Sequence, residues 1–286
     1  MSTLARNVVL VCRMVKIEHS VFALPFAYIG AFLAAAGWPG WRVFLLLTAA
    51  MVAVRSFAMA VNRLVDADID AENPRTQDRP LVTGELTRGF AAGFTAVCAV
   101  VFIAACAGLN WLCLALSPLA LAWSAFYSIT KRFTWACHFV LGSVLALAPV
   151  AGWIAYQPSM PITPVLFFAA VLFWVAGFDI LYACQDVDFD RARGLYSVPA
   201  RFGVGAGLML ALVCHAQAAG LFLLAGWAAG LGGWYFLVAG AVCAVLLAEH
   251  ALVREDDLSR VNLAFFTFNG AVAVALFGGV LLDLWL

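Results

Sequence analysis

Three side chains with oxygen donors, Asn62, Asp66 and Asp70, follow one another at intervals of four, and Asp186 and Asp190 repeat that interval later in the chain. On an α-helix this spacing puts side chains on one face, rising about 6 Å per step. Tyr182 lies four residues before Asp186 and Asp179 seven before it, so both extend the second face. Carboxylates stacked this closely repel one another unless positive charge lies between them. A hard divalent cation answers that need, because Mg²⁺ takes oxygen ligands, keeps several waters and uses one or two carboxylates together with phosphate oxygens of a substrate. Two such faces could hold metals on either side of a diphosphate, with arginines and Lys131 neutralising what the metals leave. Solvated acids at a helix end are the alternative for either cluster alone; the occurrence of both favours the metal reading. Asp68 and Asp188 lie two residues off the face, about 200° around the helix, and read as solvent-exposed.

The elements that must carry these residues are apolar. Of 286 residues, 65% are hydrophobic and 11% charged, whereas a soluble domain carries about 25% charged residues. Stretches near the roughly 20 residues that cross a bilayer recur nine times, at about 20–37, 42–64, 89–108, 111–129, 135–156, 164–185, 205–228, 233–252 and 262–282. Lipid-exposed irregular backbone would leave amides unsatisfied, so the spans are expected to be helices and the fold all-α.

Loop cations orient the chain. With the N-terminus in the cytoplasm, Arg6, Arg13, Lys16, Arg75, Arg79, Arg88, Lys131, Arg132, Arg191, Arg193, Arg201, Arg254 and Arg260 fall inside, against Arg42 outside. The long, charged segments 65–88 and 186–204 are then cytoplasmic, where function is expected. Trp38, Trp41, Trp111, Trp153, Trp234 and Trp285 fall near outer ends, as interfacial anchoring predicts. The first fifteen residues lack the pattern of a cleavable signal peptide. The eight cysteines form no CxxC pair and read as small apolar packing residues. A net charge of zero argues against a nucleic-acid partner. The two acidic regions, four spans apart, suggest one domain over 1–286 built of two weakly repeated halves, about 20–130 and 135–252, plus a ninth helix.

At this point the motifs resemble a known family. NRLVDADID resembles the first aspartate signature of the UbiA superfamily of intramembrane prenyltransferases, QDRPLVTGELT its following loop, FYSITKRFT its tyrosine-basic segment and DILYACQDVDFD its second aspartate-rich motif, in the family's order across nearly the whole chain. The resemblance implies a nine-helix bundle around a central cavity capped on the cytoplasmic side. It implies two Mg²⁺ ions on an isoprenoid diphosphate, with Asn62, Asp66, Asp70, Asp186 and Asp190 as ligands of metal or diphosphate. It further implies that Arg79, Lys131 and Arg132 contact the diphosphate, with Tyr182 and Asp179 nearby. HSVFALPFAYIGA and DILYACQDVDFDRARGLYSVPARFG resemble the 4-hydroxybenzoate polyprenyltransferase group, most of all its relatives in the futalosine branch of menaquinone synthesis; LVREDDLSRVNLAFF points the same way. The acceptor is then an aromatic hydroxy acid, 4-hydroxybenzoate or 1,4-dihydroxy-6-naphthoate. His138 stands where ubiquinone-pathway enzymes often carry Gln, which leaves the acceptor open.

The implied chemistry is departure of diphosphate from an allylic carbon, capture of the allylic cation by an aromatic carbon ortho to a hydroxyl, and loss of a proton. Twenty-three Phe and ten Trp supply a dry interior, and ring faces stabilise a passing cation by about 0.5–2 kcal/mol each. An acceptor carboxylate needs a cation. Arg55, seven residues before Asn62 on the same face, either fills that role, or snorkels to the interface, or pairs with Asp179, which as an acid in an apolar span calls for a partner. His19, beside Glu18, either serves acceptor binding or proton removal, or is an interfacial polar residue. His215 and His250 receive no role. Ion-coupled transport is a different class that also uses intramembrane acids, but near the midplane on broken helices rather than beside arginine-rich loops. A soluble synthase with paired aspartate motifs is excluded by the continuous apolar spans.

Overall fold

In an apolar surrounding every backbone N–H and C=O needs an internal partner, and the chain meets that demand with helices. A computed structural model describes residues 3–16 and 22–253, positions 255, 258 and 261, and residues 269–286. Glu18, His19, Arg254, Arg260 and residues 262–268 lie outside the described residues. Those described contain helices and no strands: α1 Thr3–Val15, α2 Leu24–Ala35, α3 Trp41–Asp70, α4 Arg88–Leu109, α5 Trp111–Thr130, α6 Cys137–Tyr156, α7 Ile162–Ala183, α8 Val187–Ala192, α9 Val198–Phe202, α10 Val204–Ala228, α11 Gly233–Leu252 and α12 Asn269–Trp285. Seven helices among the described residues are long and apolar enough to cross a membrane, α3 to α7, α10 and α11, while α2 and α12 are shorter apolar helices.

Three sequence expectations change. The first span, expected over 20–37, is a helix of 12 residues, about 18 Å at 1.5 Å per residue. It stops because Ala36 adopts a left-handed conformation (φ 49°, ψ 39°) and returns its N–H to the last turn. The second span, expected to end at 64, runs on for 30 residues to Asp70. At about 45 Å it outreaches a hydrocarbon core of about 30 Å, so its polar end clears the lipid as unbroken helix. The second acidic stretch was expected on one continuous helical face. Instead a 3₁₀ turn, Cys184–Asp186, separates α7 from α8. Its tighter winding, about 120° per residue against 100°, adds roughly 60° over the three residues, so Asp186 no longer follows Tyr182 on one regular helical face.

The chain divides into two compact units, Met1–Ser20 with Leu45–Ile129 and Val21–Phe44 with Thr130–Leu286. In the first, the amphipathic helix α1, which the sequence pattern did not assign, packs Leu10, Met14 and Val15 against Ala60, Leu86 and Ala91. In the second, neighbour contacts run α2 to α6, α6 to α7, α7 to α10, α10 to α11, α11 to α12 and α12 back to α2. Trp174, Phe26 and Phe222 fill the middle of that circuit, with ring centroids 5.3 Å (Phe26–Trp174) and 5.8 Å (Phe26–Phe222) apart. Trp38, Trp41, Trp111, Trp234 and Trp285 are exposed, as interfacial anchors require. Trp153 is half-buried instead. All eight cysteines are free thiols.

Close approach between helices rests on missing side chains, the usual device where lipid gives helices no hydrophobic reason to associate. A Cβ on Gly152 would lie 1.8 Å from the Ala27 carbonyl oxygen, and one on Gly30 would lie 2.0 Å from that of Pro149, so α2 and α6 touch backbone to backbone. Gly142 does the same for α6 and α7, its absent Cβ 2.4 Å from the Leu172 carbonyl oxygen. One helical turn before Gly142 and two after Leu172 stand His138 and Asp179. We expect Gly152→Ala to cost at least the roughly 1–3 kcal/mol of overpacking, since backbone cannot move aside as a side chain can. Gly93→Ala, where a Cβ meets nothing within 4 Å, leaves the detergent-solubilised melting temperature at or above wild type.

Candidate active site

Helix α3 ends in a hydrogen-bonded row. Asn62 Nδ2 donates to Asp66 Oδ2 at 2.8 Å, and Arg63 Nη1 donates to Asn62 Oδ1 at 2.9 Å. Asp70, buried at the last position of the helix, receives Arg79 Nη1 on Oδ2 at 2.5 Å. Two residues after α3, a knot of turns brings Arg79 back: Thr76 Oγ1 donates to the Asp70 carbonyl at 2.9 Å, and Asn73 Oδ1 accepts the Arg75 N–H at 2.9 Å. The acids expected to face solvent do so. Asp68 is exposed and pairs with Arg88, and Asp188 is exposed. Arg55, half-buried in α3, donates to the Lys16 carbonyl at 3.3 Å, at the end of α1. Arg63 was missed from sequence although the signal was present. It precedes Asp66 by three and Asp70 by seven, on the same face, and is a buried cation.

The second acidic stretch is assembled from three segments of the other unit. Asp190 on α8 is fully buried; Lys131, in the turn after α5, places Nζ 2.8 Å from its Oδ1, and Ser197 Oγ donates to its Oδ2 at 3.0 Å. Asp186 is buried at the end of the 3₁₀ turn. Asp179 has the partner the sequence called for: His138 Nδ1 lies 2.7 Å from its Oδ2. Tyr182 packs beside the Val253 and Val261 cluster, and Arg132 is exposed next to Lys131. Ser197 is the N-cap of α9, accepting the Ala200 N–H on Oγ at 3.2 Å. A serine ahead of Val-Pro-Ala-Arg is a helix-start signal, but nothing in the sequence ties it to Asp190.

The donor set suits a hard cation. Among the described residues no three His, Cys, Asp or Glu side chains gather into a metal cage. Each motif instead offers carboxylates in ones and twos with neighbouring polar oxygens, the arrangement Mg²⁺ accepts when a substrate supplies the remaining ligands. Each motif also carries its own cation. Burial works against the Lys131 ammonium, but the adjacent Asp190 carboxylate, helped by Asp186, outweighs it and raises the Lys131 pKa above the ordinary lysine value. Lys131 is thus a permanent positive charge at neutral pH, and the stability it confers is lost only as pH rises through that raised value.

An α-helical membrane protein with two acid-and-cation sites suited to Mg²⁺ and phosphate is the class this geometry defines. Residues 23–271 match the UbiA prenyltransferase family, and the chain belongs to it and is a prenyltransferase. The 4-hydroxybenzoate octaprenyltransferase of Pseudomonas fluorescens is 31% identical over 257 residues, covering 89% of this chain and 86% of that protein. Among solved structures, the apo UbiA homologue from Aeropyrum pernix K1 matches with TM-score 0.85 at 37% identity, covering 93% of this chain and 98% of that one. A UbiA homologue from Archaeoglobus fulgidus, bound to GPP and Mg²⁺, shares the fold with TM-score 0.69 at 19% identity, covering 95% and 99%.

Lys131→Met removes the cation from a carboxylate whose side chain is 1% exposed. Breaking a fully buried pair costs roughly 3–5 kcal/mol. Because 37% of the Lys131 side chain is exposed, we expect the lower part of that range or less, about 2–3 kcal/mol, read as a fall in thermal midpoint. Adding Asp190→Asn restores most of the midpoint, because the uncompensated charge is then gone.

Proposed function

We propose that this protein transfers a polyprenyl group from an isoprenoid diphosphate to an aromatic hydroxy acid, with Mg²⁺ as cofactor and 4-hydroxybenzoate as acceptor. The observation that carries the donor half is the pairing, in both motifs, of a buried aspartate with a basic side chain: Asp70 with Arg79 and Asp190 with Lys131. Such sites hold a polyanion and its counter-ions at once. The acceptor rests on the names of relatives that align over nearly the whole chain. His138, standing where ubiquinone-pathway enzymes often carry Gln, leaves the acceptor open on sequence alone. That imidazole is 2% exposed, and both its nitrogens are engaged within the protein, so it has no hydrogen bond to offer an acceptor.

Asn62, Asp66 and Asp70 on one side and Asp186 and Asp190 on the other are assigned to the metal–diphosphate assembly. When bound, Mg²⁺ supplies polarisation of the phosphate oxygens and takes up part of the leaving charge. Arg79, Lys131 and Arg132 carry fixed positive charge to the departing diphosphate, a stabilisation larger in a water-poor site than in water. Arg79 and Arg132 can grip two oxygens at once, while Lys131 acts as a point charge. Tyr182 and Asp179 stand one and two turns earlier, on α7. Apolar helices shut water away from the allylic cation until the ring carbon ortho to the acceptor hydroxyl captures it and the ring proton is lost. Arg55 is assigned to the acceptor carboxylate.

The fold we infer around this site is one domain of nine spans enclosing a central cavity. Its N-terminus and active site face the cytoplasm of the bacterial inner membrane, a reading supported by the thirteen-to-one division of loop cations. The substrates reach it from the bilayer (the polyprenyl diphosphate) and from the cytoplasm (the aromatic acid).

Membranes containing the protein, given labelled prenyl diphosphate and either 4-hydroxybenzoate or 1,4-dihydroxy-6-naphthoate, are expected to yield prenylated 4-hydroxybenzoate only while Mg²⁺ is present. Product from the naphthoate alone would overturn the acceptor assignment, and product undiminished by chelator would overturn the cofactor. Asp66→Ala and Asp190→Ala each lower turnover by at least about 100-fold, the scale on which a missing charge-stabilising group is felt, while inserting normally. Turnover above a tenth of wild type in either variant removes that residue from the site.

A further inference from the structure

We propose that His138 is a positioning residue for the second acidic motif: its ring ties Asp179 on α7 to the first backbone N–H of α9, and so fixes the seat from which Ser197 holds Asp190. The inference rests on the diphosphate reading of Asp190 given above.

The hydrogen bonds assign every role. The Val198 N–H lies 3.2 Å from His138 Nε2, and an N–H can only donate, so Nε2 accepts and the ring proton resides on Nδ1. Nδ1 therefore donates to Asp179 Oδ2 at 2.7 Å. Ser197 then uses its hydroxyl both ways, donating to Asp190 Oδ2 at 3.0 Å and accepting from the Ala200 N–H at 3.2 Å. Asp190, Ser197 and Val198 are buried, so no exposed water can replace a lost partner cheaply.

Helix α9 makes His138 the deciding link. The N–H groups at a helix start need partners from outside the helical pattern. Pro199 has none to place, Ala200 gives its N–H to the Ser197 hydroxyl, and Arg201 gives its N–H to the Ser197 carbonyl. Only the Val198 N–H reaches beyond the segment, and it reaches His138. The stretch leading into α9 is held by backbone bonds, Leu195 N–H to the Asp190 carbonyl at 2.8 Å and Tyr196 N–H to the Lys131 carbonyl at 2.7 Å. The bonds at Leu195 and Tyr196 set where the loop starts; His138 sets where Ser197 ends up. A glutamine at this position offers one amide donor and one carbonyl acceptor, the same complement as this tautomer of the ring.

The test measures binding of a non-hydrolysable thiolodiphosphate analogue of geranyl diphosphate to the purified full-length protein in nanodiscs with Mg²⁺. Outer partners of ligating groups change affinity by about 10–100-fold, so His138→Ala and Ser197→Ala are each expected to raise Kd at least tenfold. His138→Gln stays within about threefold of wild type, and the double variant His138→Ala with Ser197→Ala binds no worse than about threefold beyond the weaker single variant, because both act through one path. Binding by His138→Ala like wild type, or losses that multiply in the double variant, overturns the proposal. Should His138→Ala fail to insert folded, folded His138→Gln with a tenfold loss overturns it, and wild-type-like Gln beside a weakened Ser197→Ala supports it. Failure of the wild-type protein to bind the analogue rejects the diphosphate reading instead.

Discussion

The fold is organised around a charge that has nowhere to go. The Asp190 carboxylate is fully buried in a chain that is 65% hydrophobic, and the Lys131 ammonium 2.8 Å away compensates it. An isolated ion in such a place would cost several kcal/mol, so three segments must be brought together before α8 can stay where it is. These are the turn after α5, the 3₁₀ break after α7 and the loop into α9. Their mutual backbone bonds follow from that requirement. The charge pair demands the loop geometry, and the loop geometry leaves little freedom to the side chains within it.

The first motif meets the same constraint by shorter means. Asp70 finds Arg79 nine residues later in the same knot of turns, and Asn62, Arg63 and Asp66 bond along the helix. Local closure needs little from the rest of the protein, whereas the second motif depends on contacts between residues far apart in sequence, such as Val198 to His138, 60 residues apart. The two acidic motifs are alike in chemistry and unlike in how they are supported. A diphosphate offers the basic groups of both motifs the same thing their aspartates offer now, negative oxygen at hydrogen-bonding distance.

Much of this was legible in the amino-acid sequence, for a definite reason. A long apolar run in lipid has one structural solution, so α4, α5, α6, α10 and α11 fall within a few residues of expectation. The first acidic face was legible because the four-residue interval survives within α3. What failed was punctuation. Nothing in Ala-Cys-Gln-Asp announces a change of helical winding at residues 184–186, and the left-handed turn at Ala36 uses a residue that ordinarily prolongs helices. Partners were harder still. The sequence showed that Asp179 needed one and that basic residues were at hand, but the choice of His138, 41 positions away, depends on the backbone contact at Gly142 that brings α6 onto α7. His138 itself looked like a determinant of acceptor choice until its burial and its two engaged nitrogens were seen. Arg63 was readable and overlooked, its apolar neighbours hiding a cation three residues from Asp66.

Helix α3 has no break in its 30 residues, and this makes it a lever. A bilayer thinner or thicker than the apolar part of a helix is accommodated chiefly by a change of tilt, and in a rod without a hinge tilt at the tryptophan end reappears at the other. Asn62, Asp66 and Asp70 therefore ride on the same rod as the tryptophan end, whereas a 3₁₀ turn at residues 184–186 stands between α7 and the stretch that carries Asp186 and Asp190. The first acidic motif is mechanically continuous with its membrane-crossing helix, and the second is joined to its own through a change of winding.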